Sequence, residues 1–161
     1  MSLSKLQKIV AKDCLICERI NQIQQDTNPY FVKELETGYV VIGDYQFFKG
    51  YTLFLCKQHV TELHKLDDGF KKKFLYEMSV VAKSVFEVFK PRKLNYELLG
   101  NSEPHLHWHI IPRHKTDPIP DKPIWTINKS VRYNKTAKPK PDELAKLKNS
   151  LMSSLSKNVG A

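Results

Sequence analysis

The chain has 161 residues, of which 41% are hydrophobic, and a formal net charge of +9; this composition is typical of one folded domain and excludes a chain that is disordered throughout. Residues 1–12 lack the apolar core of a secretory signal and no run of about 18 apolar residues follows, so the sequence predicts neither secretion nor a membrane span. The three cysteines are typical of a reducing compartment, and we expect a cytoplasmic protein.

The first motif lies near the start of the chain, after a short lead predicted at residues 1–12. Cys14 and Cys17 form a Cys-x-x-Cys motif, which has three interpretations: half of a zinc site, a redox pair, or chance. A redox pair normally opens a helix after a strand, and no strand is predicted before Asp13. Zinc needs two further ligands, so the motif alone leaves the choice open.

The next part of the chain shows strand patterns followed by one long helix pattern. A short helix and three strands are predicted at residues 18–26, 30–34, 39–42 and 51–56. Cys56 lies inside the last apolar run, so we interpret it as a small core residue. From Phe70 to Phe89 apolar residues recur at steps of three and four, which predicts an amphipathic helix of about 20 residues that starts near Asp67 and ends before Pro91.

Two further strands are predicted as an antiparallel pair, at residues 94–99 and 105–111, with Pro112 ending the second. In the second strand His105, His107 and His109 alternate with large apolar residues. Alternation of this kind places three imidazoles on one face, about 6.6 Å apart, and buries the other face. Three imidazoles are hard to explain as core packing, because each ring has two nitrogens that need partners. Such a row indicates metal binding, or acid-base and nucleophilic chemistry.

The chain ends with a basic arm and a helix. Residues 112–141 are rich in proline, and residues 122–141 contain basic residues and no acidic one, which predicts a long irregular arm around Trp125 and Tyr133. The arm is either a basic rim for a polyanion, such as a phosphate-rich small molecule or less favourably nucleic acid, or a solvated or subunit-contacting loop. A final helix is predicted from Pro141, and its leucine stripe packs on the body or on a second subunit.

The segment His105-Leu-His107-Trp-His109-Ile-Ile, with Gly100-Asn-Ser before it, resembles the signature of the histidine triad (HIT) nucleotide-binding family. Residues 112–125 are similar to a bacterial branch described as diadenosine-tetraphosphate hydrolase-like. The resemblance implies an α+β fold: an antiparallel sheet of about five strands with a long central helix and a C-terminal helix. It also implies a division into the lead at 1–12, a HIT domain at 13–125, and the basic arm with the last helix at 126–161.

The resemblance further implies a chemistry. A HIT hydrolase cleaves a nucleotide phosphoanhydride, as in a dinucleoside polyphosphate, or a nucleoside phosphoramidate, through a nucleotidyl-histidine intermediate. Family roles carried over to this chain make His107 the nucleophile and His109 a donor to the phosphate, with Asn101 and Ser102 on the phosphate oxygens. The implied substrate-binding residues are Asp44, Phe47, His114 and Trp125. The implied ligands of a structural zinc ion are Cys14, Cys17, His59 and His105. A homodimer is also implied.

The sequence departs from the family at one position and leaves two other functions open. Tyr51 stands where the family commonly has a histidine that supports the triad, and a phenol does not titrate near neutral pH. One alternative is a nucleotidyltransferase of the galactose-1-phosphate uridylyltransferase kind, whose triad ends in glutamine; His109 favours the hydrolase. The other alternative is a non-catalytic module that binds nucleotides or nucleic acid.

Overall fold

The computed structural model describes residues 13–160, so the lead predicted at 1–12 lies outside the described residues. Within this range the elements are α1 (Leu15–Gln24), β1 (Phe31–Glu34), β2 (Gly38–Ile42), β3 (Thr52–Cys56), α2 (Asp68–Phe89), β4 (Lys93–Glu97), β5 (His107–Arg113), α3 (Lys129–Arg132) and α4 (Pro141–Asn158). Short 3₁₀ turns occur at Leu63–Lys65, Ile124–Thr126 and Lys135–Ala137. None of the helices in residues 13–160 is long and apolar enough to cross a bilayer.

The five strands form one antiparallel sheet in the order β1-β2-β3-β5-β4. Strand β5 therefore lies between β3 and β4, and it pairs with both: His109 lies opposite Leu53 on β3 and Glu97 on β4. The predicted α+β fold with about five antiparallel strands, a long helix and a C-terminal helix is confirmed.

Different elements pack on the two faces of the sheet. Neighbouring side chains on a strand point to opposite faces. Val40, Phe54 and Ile110 belong to the main core, which the long helix α2 and the C-terminal helix α4 complete. On the opposite face, Val41 and Leu55 pack against the buried side of α1. The sheet thus separates a helical core layer from a second face that is only partly covered.

Helix α2 follows its sequence pattern closely. The Asp67 carboxylate caps it by accepting a hydrogen bond from the Phe70 N–H at 3.0 Å. Lys90 ends it in a left-handed conformation, φ 48°, one residue before Pro91. The apolar stripe of α4 packs on the body of the protein rather than remaining open, since Leu147, Leu151 and Leu155 are all buried in the main core.

The start of α1 differs from the prediction. The helix begins at Leu15 and not at Glu18, and Cys14 is its N-cap residue. The Cys14 thiol accepts a hydrogen bond from the Cys17 N–H at 3.4 Å. Cysteine is not among the side chains that usually signal a helix start, so the sequence pattern placed the boundary too late.

The bounds of β5 also correct the prediction, which was wrong to end the strand at Pro112. The strand starts two residues later than expected, at His107, and continues to Arg113, with Pro112 opposite Leu94 on β4. Strand β3 pairs with β5 only as far as Ile110. Beyond Ile110, β5 pairs only with β4. Proline has no backbone N–H, and a strand tolerates it where one side is unpaired.

A buried carboxylate ties α2 to the turn between β1 and β2. Glu77 is 6% exposed and accepts hydrogen bonds from the Glu36 N–H at 3.0 Å and the Thr37 N–H at 2.9 Å, as well as from the Thr37 hydroxyl. These backbone donors lie in the turn and have no strand partner, so the carboxylate replaces the partner that a sheet would supply.

Replacing Glu77 with alanine leaves the buried donors of this turn without an acceptor. We expect the free energy of unfolding to fall by about 2–4 kcal/mol, since each unsatisfied buried donor costs about 1–3 kcal/mol. Thermal or urea unfolding measures the change. The control is Lys72→Ala on the exposed side of α2, which should lose less than about 1 kcal/mol. Equal losses in the two variants would contradict the assignment.

Candidate functional site

The strand β5 brings two of the three triad histidines into one cavity. His107 and His109 line a cavity of about 720 Å³ on the partly covered face of the sheet. The intervening Trp108 packs into the main core together with Ile110. The expectation of three imidazoles on one strand face was wrong for His105, which precedes the strand and turns its ring toward the cysteine motif.

His107 is held in one tautomer by the backbone. Its Nδ1 lies 2.6 Å from the carbonyl oxygen of His105, and the side chain is buried. A carbonyl oxygen only accepts hydrogen bonds, so Nδ1 carries the proton and Nε2 carries the lone pair. Burial lowers the pKa of His107 below its usual value, which keeps the ring neutral at neutral pH. The arrangement leaves a neutral nitrogen nucleophile at the cavity.

His109 is held from the other side by Tyr51, at a distance of 2.6 Å between Nδ1 and the phenol oxygen. Burial raises the pKa of Tyr51 above its usual value, and burial lowers the pKa of His109 to about 3. Both groups are therefore neutral at pH 7. When the phenol donates its proton to Nδ1, Nε2 of His109 carries an N–H, which is the form that can donate to a phosphate oxygen. Tyr51 thus supplies a hydrogen bond to the triad without adding a titrating group.

The position of Tyr51 depends on a glycine at the start of the next loop. Gly43 follows β2, and a Cβ atom built there would lie 2.7 Å from the Tyr51 ring. Any larger residue would push against the ring, since real Cβ contacts do not come so close. Gly43 also donates its backbone N–H to the Tyr51 carbonyl at 2.9 Å. These contacts fix the phenol beside His109.

The cavity has an apolar part and a polar part. Its apolar lining comes from the start of α1, from the residue before β1, and from β2 and β3. These lining residues are Leu15, Ile16, Tyr30, Val41, Leu53 and Leu55. Its polar lining comes from the loop before the triad, where Gly100, φ 90°, opens a turn that Asn101, Ser102 and Glu103 continue. A flat apolar group and an anionic group can therefore bind in the same cavity.

The predicted substrate-binding residues lie in different places. Asp44 lines the cavity but forms an ion pair with Arg19 of α1, and Trp125 lines it with its ring edge against His109, 5.7 Å between centroids. Phe47 and His114 are not among the lining residues. Phe47 packs edge-on against a neighbouring buried phenylalanine, and the Nε2 atom of His114 is buried without a hydrogen-bond partner.

The structure adds lining residues that no sequence pattern identified. Arg19 lies in a helix whose start was misplaced, and its ring contact with Tyr30 depends on a separate segment of chain. Tyr45 lies in the loop after β2 and also lines the cavity, next to the point where the Gln46 N–H donates to the Ala137 carbonyl of the basic arm at 2.7 Å. Lys129, by contrast, belongs to the basic arm that the sequence predicted as a rim, and it does line the cavity. Contacts of this kind, between segments that are distant in the sequence, leave no pattern in the local sequence.

The cysteine motif and two histidines form a compact cluster beside the cavity. The ligand atoms of Cys14, Cys17, His59 and His105 all lie within 4.8 Å of one another. The Nδ1 atom of His105 is 3.1 Å from Nδ1 of His59, 3.5 Å from the Cys17 sulfur and 3.6 Å from the Cys14 sulfur. Tetrahedral zinc with its usual bond lengths sets such atoms about 3.3–3.8 Å apart. The cluster can bind a metal ion.

The chemistry of His105 also suits a metal ligand. Its Nε2 lies 2.8 Å from the Cys56 carbonyl oxygen, which only accepts hydrogen bonds, so Nε2 carries the proton and donates. The lone pair of the ring is therefore on Nδ1, the atom that faces the sulfurs. Burial lowers the pKa of His105 to about 4, so the ring is neutral at pH 7. A ring N–H on a carbonyl is the usual second contact of a metal-bound histidine.

Comparison with known proteins adds four findings. The family model for the HIT domain matches residues 30–116. "Protein hit" of Bacillus subtilis is 29% identical over 109 residues, which are 65% of this chain and 73% of that protein. A histidine triad protein from Bradyrhizobium japonicum superposes with a TM-score of 0.69 at 23% identity, covering 78% of this chain and 89% of the other. A Zn-bound histidine triad family protein from Mycobacterium smegmatis reaches a TM-score of 0.62 at 16% identity, covering 92% and 96%. At these identities the two structures show a shared fold.

The burial of His109 and its contact with Tyr51 predict the protonation state of the His109 ring. Because the pKa of His109 is lowered to about 3, its ring should stay neutral from pH 8 down to about pH 5, where an ordinary histidine with a pKa near 6.5 takes up a proton. A ¹⁵N-detected NMR titration should therefore show His109 as a fixed Nε2–H tautomer across this range. A midpoint near pH 6.5 would contradict the assignment.

Tyr51→Phe removes the hydroxyl and should release this tautomer. We expect the ¹⁵N pattern of His109 to become a mixture of tautomers, because the phenol that holds its Nδ1 in one hydrogen bond is lost. Tyr45→Phe is the matched control, since it removes a hydroxyl from the same cavity and leaves the Tyr51 contact intact.

Proposed function

This chain belongs to the HIT family, and from that premise we propose that it hydrolyses a nucleotide phosphoanhydride or phosphoramidate bond through a nucleotidyl-histidine intermediate. The observation that carries the proposal is the hydrogen bond of 2.6 Å from Nδ1 of His107 to the His105 carbonyl. It leaves the Nε2 lone pair free for attack on phosphorus, without a base to remove a proton first.

In the proposed first step Nε2 of His107 attacks the α-phosphorus. A bond forms between nitrogen and phosphorus, and the bond from phosphorus to the bridging oxygen or nitrogen breaks, with its electron pair going to the leaving group. The Nε2–H of His109 donates a hydrogen bond to the group that leaves or to the phosphate. Asn101 and Ser102 line the same cavity, and their amide and hydroxyl donors can stabilise the charge that develops on the non-bridging oxygens.

In the proposed second step water replaces the histidine. Water attacks the same phosphorus, the nitrogen-phosphorus bond breaks, and the electron pair returns to Nε2 of His107 while a proton passes to solvent. The cavity opens on the face of the sheet, so water can reach the phosphorus after the leaving group has departed. Transfer to a phosphate acceptor would use the same intermediate, and the products identify which acceptor is used.

The apolar part of the cavity supports binding of the nucleoside. Leu15 and Ile16 of α1, with Val41 and Leu53 of the sheet, line this part of the cavity, which suits a flat base. Asp44 lines the same cavity, and its carboxylate is paired with Arg19. We propose that the base binds against this apolar lining and that Asp44 meets the ribose, with Arg19 holding the carboxylate in position.

We further propose that the cluster of Cys14, Cys17, His59 and His105 holds a structural zinc ion. Support comes from the ligand spacing and from the fold shared with a protein whose structure is described as Zn-bound. When bound, zinc would supply a closed coordination shell that stabilises the fold and would not take part in the reaction. The four residues would tie the start of α1, a wall of the cavity, to the segment that leads into β5.

A homodimer is proposed on the open edge of the sheet. Strand β4 is one of the two edge strands of the sheet, with β5 as its partner on one side. Tyr96 on this strand is 47% exposed and Leu99 just after it is 51% exposed. An edge strand with exposed apolar side chains is a site where a second copy can pair. The cytoplasmic location expected from the cysteines stays a prediction.

The role of His107 is tested by His107→Ala with a panel of nucleotide substrates and identification of the products. We expect kcat to fall by several orders of magnitude while nucleotide binding is kept, because the covalent route is lost. His64→Ala is the matched control, since His64 is an exposed histidine outside the cavity. Activity of His107→Ala near that of the unaltered protein, or a trapped adduct on another residue, would contradict the proposal.

The zinc site is tested by elemental analysis of protein purified without added metal. We expect about one zinc ion per chain, and loss of that ion together with a lower melting temperature in Cys14→Ser and Cys17→Ser. Cys56→Ala is the matched control, because Cys56 is buried in the main core and should not change the metal content. Less than about a tenth of an equivalent of zinc in the unaltered protein would reject the site.

A further inference from the structure

We propose that Gln46 is a positioning residue: its side chain fixes the loop that carries Tyr51 and so keeps the Tyr51 hydroxyl on His109. Gln46 lies in the connection between β2 and β3. The inference rests on the proposed function for the effect of Gln46 on turnover. Its effect on the His109 ring is measured without any substrate.

The connection between β2 and β3 is longer than a tight hairpin. Strand β2 ends at Ile42 and β3 begins at Thr52, and these two residues are paired with each other, so residues 43–51 form the loop. Hairpin loops usually have about two to five residues, and ordering a longer one costs more conformational entropy. Tyr51 is the last residue of this loop, so the direction of its side chain depends on how the loop is held.

The side chain of Gln46 joins three backbone groups of the loop. Its amide nitrogen donates to the Gly43 carbonyl at 2.9 Å and to the Tyr51 carbonyl at 3.0 Å. Its amide oxygen accepts a hydrogen bond from the Gly50 N–H at 2.8 Å. These partners fix the orientation of the amide, because a carbonyl only accepts and an N–H only donates. One side chain therefore ties the first residue of the loop to the last two.

These contacts act on the backbone on both sides of the Tyr51 Cα atom. The Gly50 N–H belongs to the residue before Tyr51, and the Tyr51 carbonyl follows its Cα directly. The Gly50 carbonyl is held as well, since it accepts a hydrogen bond from the buried Thr52 hydroxyl at 2.9 Å. The backbone at residues 50–52 is thus held in one conformation, and the Tyr51 ring leaves it in one direction.

The contact that this loop supports is a single hydrogen bond. A tyrosine has one hydroxyl at the end of its ring, and this oxygen lies 2.6 Å from Nδ1 of His109. Groups that act on a reacting side chain have to be held within about 0.5 Å of the productive position. A loop without its internal hydrogen bonds would let the hydroxyl move away from His109, and the ring could then exchange between tautomers.

The basic arm holds the same loop through different atoms. The Gln46 backbone N–H donates to the Ala137 carbonyl at 2.7 Å. Lys138, the next residue of the arm, places its ammonium 5.2 Å from the centre of the Tyr45 ring. These contacts use the backbone of Gln46 and the side chain of its neighbour. A change of the Gln46 side chain therefore leaves the loop attached to the arm and removes only its internal support.

The test replaces Gln46 and reads the tautomer of His109 by ¹⁵N NMR at pH 7. Gln46→Ala removes all three side-chain contacts and should turn the fixed Nε2–H form into a mixture, as expected for Tyr51→Phe. Gln46→Glu keeps the size of the side chain and the acceptor for the Gly50 N–H. Its carboxylate cannot donate to the two carbonyls, so it should give the same mixture.

Turnover of nucleotide substrates shows whether Gln46 acts through Tyr51. We expect Gln46→Ala and Tyr51→Phe each to lower kcat about tenfold to a hundredfold. The KM should change little, because the contact serves a donor to the departing group and not the binding of the nucleoside. The double variant should lose no more than Tyr51→Phe alone. Losses that multiply in the double variant would overturn the inference, since Gln46 would then act by another route.

Two controls separate this effect from a general loss of stability. Glu77→Ala destabilises another turn and should leave His109 as the fixed Nε2–H tautomer. Gln25→Ala removes an exposed glutamine at the end of α1, outside the cavity, and should change nothing. A fixed tautomer in both Gln46 variants would overturn the inference and leave the proposed function standing. A mixture in both variants, with no turnover of any nucleotide by the unaltered protein, would support the inference and reject the hydrolysis.

Discussion

The alternation of side chains along β5 is the constraint on which the structure depends. One face of this strand packs into the core under α2, and the other presents His107 and His109 to the cavity. A shift of one residue would turn the imidazoles into the core and expose Trp108, so the packing of the core also fixes which side chains face the cavity. Two residues before His107, His105 precedes the strand and directs its ring to the cysteines. The core, the cavity and the cluster of cysteines and histidines therefore all depend on the placement of β5.

The second property of the site is that its histidine rings are neutral. Burial lowers the pKa of His109 to about 3 and that of His105 to about 4, and each ring has a fixed partner for one nitrogen. A carbonyl fixes His107 and a phenol fixes His109. In a buried site such contacts determine which nitrogen of each ring carries the proton and which carries the lone pair, without charging either ring. Tyr51 thus gives His109 a hydrogen-bond partner, although it is not the histidine that the family commonly has at this position.

Much of the fold could be predicted from the sequence, because its signals are local. The period of α2 and its aspartate cap, and the pairing of β4 with β5, follow from patterns within a few residues. The predicted boundaries were wrong at two elements. The Cys14 thiol caps α1, a role that other side chains usually take. Pro112 continues β5 beyond the residue at which its pairing with β3 ends. The buried Glu77 and the stacked Arg132 depend on contacts between distant segments. The sequence counted Arg132 only as one of the cations of the basic arm, whereas its side chain is buried in the structure.

The central claim is that phosphorus passes through a covalent bond to His107. The most direct measurement is the stereochemistry at that phosphorus, using a substrate with a chiral α-phosphorothioate and ¹⁸O-labelled water. Each in-line displacement inverts the configuration, so attack by His107 followed by attack by water predicts net retention. Net inversion would show a single displacement by water and would contradict the account.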